Sequence, residues 1–177
     1  MTGTSITVAG IEIPSTDPAF VAIVAMHVLL GFACAITGII AMLSPKRSGR
    51  HPLSGTIYYW CLLGVFVTAS ALAAARWTED YHLFILGTLA FGAASLGRMA
   101  RRKRWNQWVK IHITGMGTSY IVLLTAFYVD NGKNLPLWRD LPSIAHWLVP
   151  AAVGIPLIVR TLLWHSLART TQPSSPP

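Results

Sequence analysis

Residues 17–44 read DPAFVAIVAMHVLLGFACAITGIIAMLS, and no residue from Ala19 to Leu43 carries a formal charge. Asp17 followed by Pro18 is a helix start: a capping acid, then a proline in the first turn, where its missing N–H costs nothing. Ser44-Pro45 ends the run, because the residue before a proline is pushed out of the helical region. As a helix the apolar stretch is about 37 Å long, enough to cross a hydrocarbon layer of about 30 Å. The deciding question is whether the rest of the chain repeats this pattern.

It does so four more times. Further apolar runs cover about Leu53–Ala75, Tyr81–Met99, Val109–Val129 and Ala145–Leu163. Pro52 sits in the first turn of the second run. The fifth contains Pro150 and Pro156, which are expected to kink it and which membrane helices tolerate. The connections are Ser44–Pro52, Arg76–Asp80, Gly97–Trp108 and Asp130–Ile144, the last rich in turn signals such as Asn131-Gly132 and Leu135-Pro136. Composition agrees. Of 177 residues, 53% are hydrophobic and 11% charged, against roughly 25% charged in a soluble domain. An ordinary water-soluble domain is thereby excluded, and so is a disordered chain. The expected fold class is all-α, an integral membrane bundle of about five transmembrane helices. The expected organisation is a short extracytoplasmic tail over residues 1–18, a transmembrane domain over 19–165, and a disordered cytoplasmic tail over 166–177.

Charge sets an orientation. If the helices alternate direction, one side of the membrane receives Lys46, Arg47, Arg50, Arg98, Arg101, Arg102, Lys103, Arg104, Lys110, Arg160 and Arg169, and no acid. The other side receives Arg76, Lys133 and Arg139 with all six acids. The excess of lysine and arginine marks the cytoplasmic side, which places the N-terminus outside and the C-terminus in the cytoplasm. Residues 1–18 contain no Lys or Arg, so they lack the basic region of a secretory signal and the first helix is expected to be retained. The net charge of +8 therefore reads as topology and not as nucleic-acid binding. The run Arg98–Arg104, beside Trp105 and Trp108, reads as contact with anionic lipid headgroups at the cytoplasmic face. Cys34 and Cys61 lie inside apolar runs without disulfide or metal spacing and read as small buried hydrophobes.

Ionisable residues inside a span cost about 2.5–3.5 kcal/mol and are functional candidates by default. His27 lies roughly 12 Å below the outer end of the first helix. Gly31, Cys34 and Gly38 share its face, a stripe that lets a neighbouring helix approach closely, so a large side chain at Gly31 should push that neighbour away. Four more histidines stand near helix beginnings: His51 and His112 on the basic side, His82 and His146 on the acidic side. Two histidines at equal depth on different helices are what a bis-imidazole haem or a metal ion requires. His51 and His112 are the candidate haem ligands, since the basic residues around them suit haem propionates. His27, His82, Asp130 and His146 are the candidate metal set, at the end where the acids attract a cation and the longest loop lies. In the fourth helix, His112, Gly115, Ser119, Leu123, Ala126 and Asp130 form one stripe, either a polar relay or the seam that faces the bundle. There is no phosphate-binding glycine loop, no Gly-x-Ser-x-Gly elbow and no His-Glu-x-x-His.

The motifs His27-x3-Gly31, Arg50-His51-Pro-x2-Gly55-x2-Tyr58 and His112-x2-Gly-Met116-x2-Ser119-Tyr120 resemble a family of small multi-pass bacterial membrane proteins of unknown function. Ala126-Phe-Tyr-Val-Asp-Asn-Gly132 and Leu135-Pro-x-Trp138 extend that resemblance, which covers roughly Ala25–Leu157. It implies the bacterial inner membrane and no particular activity. The chain also resembles cytochrome b561, in which histidines on the second and fourth, and on the third and fifth, helices bind two b-type haems. That resemblance implies His51 with His112 and His82 with His146. Two functions follow as expectations. One is a non-enzymatic membrane component (a small transporter, relay or accessory subunit), able to form a homo-oligomer or to meet a membrane-protein partner. The other is a membrane redox or metal-binding protein that uses paired histidines to hold haem b or a transition metal.

Overall fold

A computed structural model describes residues 6–8, 11–13, 17–46 and 49–170, with side chains described from Asp17 to His165 outside residues 47–48. It contains five long helices: α1 (Pro18–Leu43), α2 (Arg50–Ala75), α3 (Trp77–Lys103), α4 (Trp108–Asn131) and α5 (Ser143–Thr170). All five are long and apolar enough to cross a membrane. A 3-10 turn, Gly132–Asn134, follows α4. Two short strands precede α1: β1 (Ile6–Val8) pairs antiparallel with β2 (Ile11–Ile13), with Ile6 opposite Ile13 and Val8 opposite Ile11. The expected N-terminal tail thus carries a hairpin, favoured by β-branched residues on both sides of a two-residue link.

The helix ends follow local chemistry. The Asp17 side chain accepts from the Ala19 amide at 2.8 Å, which caps α1, and Ser44 is extended where α1 stops. Between α2 and α3 there is one residue, Arg76, whose guanidinium pairs with Glu79 and, at 3.7 Å, with Asp80. The stretch expected to link these helices is therefore almost entirely the first turn of α3. Acids there complement the positive helix N-terminus. At its other end α3 runs to Lys103, where Arg101, Arg102 and Lys103 suit the negative C-terminus. Pro150 and Pro156 both lie within α5, which continues to Thr170, past the expected end of the transmembrane domain at residue 165. The expected tail over 171–177 lies outside the described residues.

Each helix packs on the next, and α1 also meets α4, so α1–α4 close into a ring with α5 against α4. The core lies at mid-height, where Cys34, Tyr58, Leu62, Val65, Ala90 and Ala94 are buried. The closest approach is between α3 and α4, where a Cβ on Gly115 would lie 2.7 Å from the Ala93 carbonyl oxygen and 2.9 Å from the Gly97 Cα. On α1 the small-residue stripe is only partly an interface. Cys34 and Gly38 are buried, but a Cβ on Gly31 would meet nothing within 4 Å. That corrects the expectation for Gly31, because the stripe turns away from the neighbouring helix there. The outer faces carry Leu29, Phe32, Leu53, Trp60, Leu148 and Leu163 uncovered. Apolar surface of that extent is stable against lipid and not against water.

Candidate functional site: an imidazole pair between α2 and α4

The first residues of α2 and α4 stand at the same, basic end of the bundle. His51 donates from Nδ1 to the Ala41 carbonyl in the last turn of α1 at 2.8 Å. The Lys46 ammonium donates to the same oxygen at 3.0 Å and to the Met42 carbonyl at 2.6 Å. Together they satisfy carbonyls that the end of α1 leaves open, and burial lowers the Lys46 pKa below the ordinary lysine value. His112 donates from Nδ1 to the Gly97 carbonyl of α3 at 3.1 Å. A carbonyl can only accept, so Nδ1 holds the hydrogen on both rings and a neutral ring keeps a bare Nε2. The two ring centroids are 6.4 Å apart with the planes at 86°.

This pair is one rung of a ladder. Two turns further into the membrane Tyr58 on α2 meets Ser119 on α4 at 2.9 Å. Both rungs join residues 61 apart in sequence, because α2 and α4 run parallel and in register and a step of seven residues on each advances both by about 10.5 Å. The Ser119 hydroxyl donates to the Met116 carbonyl at 2.8 Å, so its lone pair receives the Tyr58 hydrogen. Beside it, Tyr120 donates to the Ala35 carbonyl at 3.1 Å and joins α4 to α1. The serine and tyrosines were legible only as members of motifs. Their equal offset from the two histidines was the signal that could have paired them.

The other candidates are dispersed. His27 meets the Thr68 hydroxyl at 2.9 Å, and Thr68 donates onward to the Gly64 and Val65 carbonyls of α2. His146 is buried, bonds through Nε2 to the Trp138 carbonyl at 3.1 Å, and lies against Gly132, where a Cβ would come within 2.8 Å of its ring. It therefore holds the α4–α5 connection, together with Trp138 stacked on Tyr128 at 3.9 Å. The ring neighbours of His82 are Tyr81 and Trp147. Asp130 has Asp80, His82 and Arg76 as its ionisable neighbours and accepts from Asn131 at 3.2 Å. His27, His82, Asp130 and His146 are thus not gathered into one cluster. Among the described residues no group of three or more His, Cys, Asp or Glu side chains is placed to hold a metal ion. Cys34 and Cys61 are free, with the Cys34 thiol directed at the Tyr58 carbonyl.

Two imidazoles in line across one metal, at about 2.0–2.1 Å per bond, have ring centroids roughly 6 Å apart. His51 and His112 fit that spacing and the required tautomer, and a Cβ on Gly55, one turn beyond His51, would meet nothing within 4 Å. Two nitrogens do not complete a zinc site, which takes four ligands. They are the number a haem iron would take from the protein, and His51 and His112 would be the residues that hold it. Lys46 and Arg101 lie in electrostatic reach of His112, a surrounding that repels a bare cation and suits carboxylates of a bound group. No family model, curated protein or solved structure matches the chain.

Proposed function

We propose that this chain is a multi-pass protein of the bacterial inner membrane, N-terminus outside and C-terminus cytoplasmic, that serves as a redox component with haem b held between His51 and His112. The observation that carries this reading is the pair itself: two imidazoles on parallel helices, centroids 6.4 Å apart, each with Nδ1 anchored on a backbone carbonyl. Anchoring of the far nitrogen is how ligand imidazoles are oriented and made more basic. The charge asymmetry supports the orientation.

The test is the visible spectrum and metal content of the full chain purified from membranes. The expected result is a Soret band that shifts on reduction and disappears in His51→Phe and in His112→Phe while circular dichroism keeps its helical signal. Bound metal without a Soret band, lost in both variants, would replace haem by a transition metal. A colourless, metal-free parent would overturn both.

One further observation favours a second reading. His27, His51, His112 and His146 each direct a ring nitrogen to a group on another element. In a non-enzymatic component (a small transporter, relay or accessory subunit) these contacts would be helix ties and nothing more. Crosslinking in native membranes would then find the homo-oligomer or membrane-protein partner that such a component requires.

A further inference from the structure

At the basic end, the α3–α4 turn and the end of α5 form a half-open surface cavity of about 500 Å³ lined by Trp105, Asn106, Gln107, Trp108, Lys110 and His165. His165 is one of the lining residues, and its ring Nδ1 is buried with no hydrogen-bond partner among the described residues. A buried ring nitrogen without a partner loses its hydration for nothing, so it calls for an unseen one. The turn is also built at a cost. Arg104 and Gln107 both adopt left-handed backbone angles, with φ of 53° and 57°, a conformation that side chains other than glycine disfavour. The Arg104 guanidinium lies 5.0 Å over the Trp108 ring, which fixes a cation at the rim. No acid lines the cavity, and Arg101, Arg102 and Lys103 precede it on α3.

The cavity opens where three membrane-length helices end, so its occupant meets both the bilayer and the aqueous surface. Its indole walls suit the glycerol region of a lipid. Its amide, ammonium and imidazole groups suit a phosphate. We propose that this cavity is a binding site for the phosphate headgroup of an anionic phospholipid, with His165 and Lys110 as the donors to the phosphate oxygens. The site is separate from the imidazole pair and does not depend on what that pair holds.

The test uses the full chain in a neutral detergent, titrated with phosphatidylglycerol, with phosphatidylcholine and with inorganic phosphate, and read by native mass spectrometry. The expected result is one tightly retained phosphatidylglycerol, weaker retention of phosphatidylcholine, and no displacement by millimolar inorganic phosphate. His165→Phe keeps a ring in place and removes the donor. It should weaken phosphatidylglycerol roughly tenfold, as should Lys110→Gln, the scale of one charge-assisted hydrogen bond. Arg160→Gln, outside the cavity, should change little. Lys110→Gln carries the test by itself if His165→Phe fails to fold. Retention unchanged in the donor variants, or equal for the two lipids, would overturn the proposal. Displacement by inorganic phosphate would overturn the lipid as the source of the phosphate.

Discussion

Ser119 holds the lower rung of the α2–α4 ladder as an acceptor, because its hydrogen goes to the Met116 carbonyl. That direction makes the two ways of breaking the rung unequal. Tyr58→Phe removes a donor and leaves Ser119 with its own bond intact. Intramembrane side-chain hydrogen bonds average about 0.6 kcal/mol, and the loss should be of that order. Ser119→Ala instead leaves a fully buried tyrosine hydroxyl with no acceptor, at a cost of about 1–3 kcal/mol. Reversible unfolding in mixed micelles should therefore rank Ser119→Ala as the more damaging change. Equal losses would mean that Tyr58 is the acceptor. The same reasoning applies to Thr68, which gives its hydrogen to backbone and receives one from His27. Thr68→Val, similar in shape, leaves the His27 N–H without its acceptor and should lower stability by about 1–3 kcal/mol, and His27→Phe in the Thr68→Val background should add little to that loss in a double-mutant cycle.

Among the elements, the α3–α4 contact is the least forgiving. Gly115→Ala puts a methyl group against backbone atoms of Ala93 and Gly97, which cannot turn aside as a side chain could. Overpacking of this kind costs about 1–3 kcal/mol, read as a lower melting temperature in detergent. Gly31→Ala on α1 meets open space and should leave that temperature unchanged or raise it slightly, since alanine is the better helix former. The contrast shows what was legible in the sequence. Hydropathy locates the five helices because it reports which residues tolerate lipid, but it reads membrane thickness and not helix hydrogen bonds. It therefore misses the polar turns Trp77–Asp80 and Arg101–Lys103 of α3 and the extension of α5 to Thr170. The spacing of glycines names a face but not which part of it a neighbour covers, and that is why Gly31 misled where Gly38 did not. His51 and His112 could be matched from helix order and depth. His146 could not, because its partner is a loop carbonyl at Trp138 that no periodicity marks.

For the whole molecule, the proposed topology makes the five helices among the described residues alternate in direction across the membrane, which puts the ends of α1 and α3 and the starts of α2 and α4 on one side. The imidazole pair, Lys46, Lys110 and the basic turns of α3 then share one end of the bundle. A reporter active only in the cytoplasm, fused at the C-terminus, should be active, and one active only outside should be silent. The opposite pattern would reverse the proposed orientation. The α2–α3 corner matters at this scale too. With Arg76 alone between two helices of 26 and 27 residues, and its guanidinium paired to Glu79 and Asp80 on the first turn of α3, neither helix can slide along the other. The α3–α4 turn leaves only residues 104–107 between helices, hardly more freedom. These three helices form one stiff block. The connection after it, residues 132–142, is longer, but His146 on the Trp138 carbonyl and Trp138 stacked on Tyr128 tie it down. His51 and His112 stand on the first and last helices of that block, so the spacing of the pair is set by two short corners and not by the rest of the bundle.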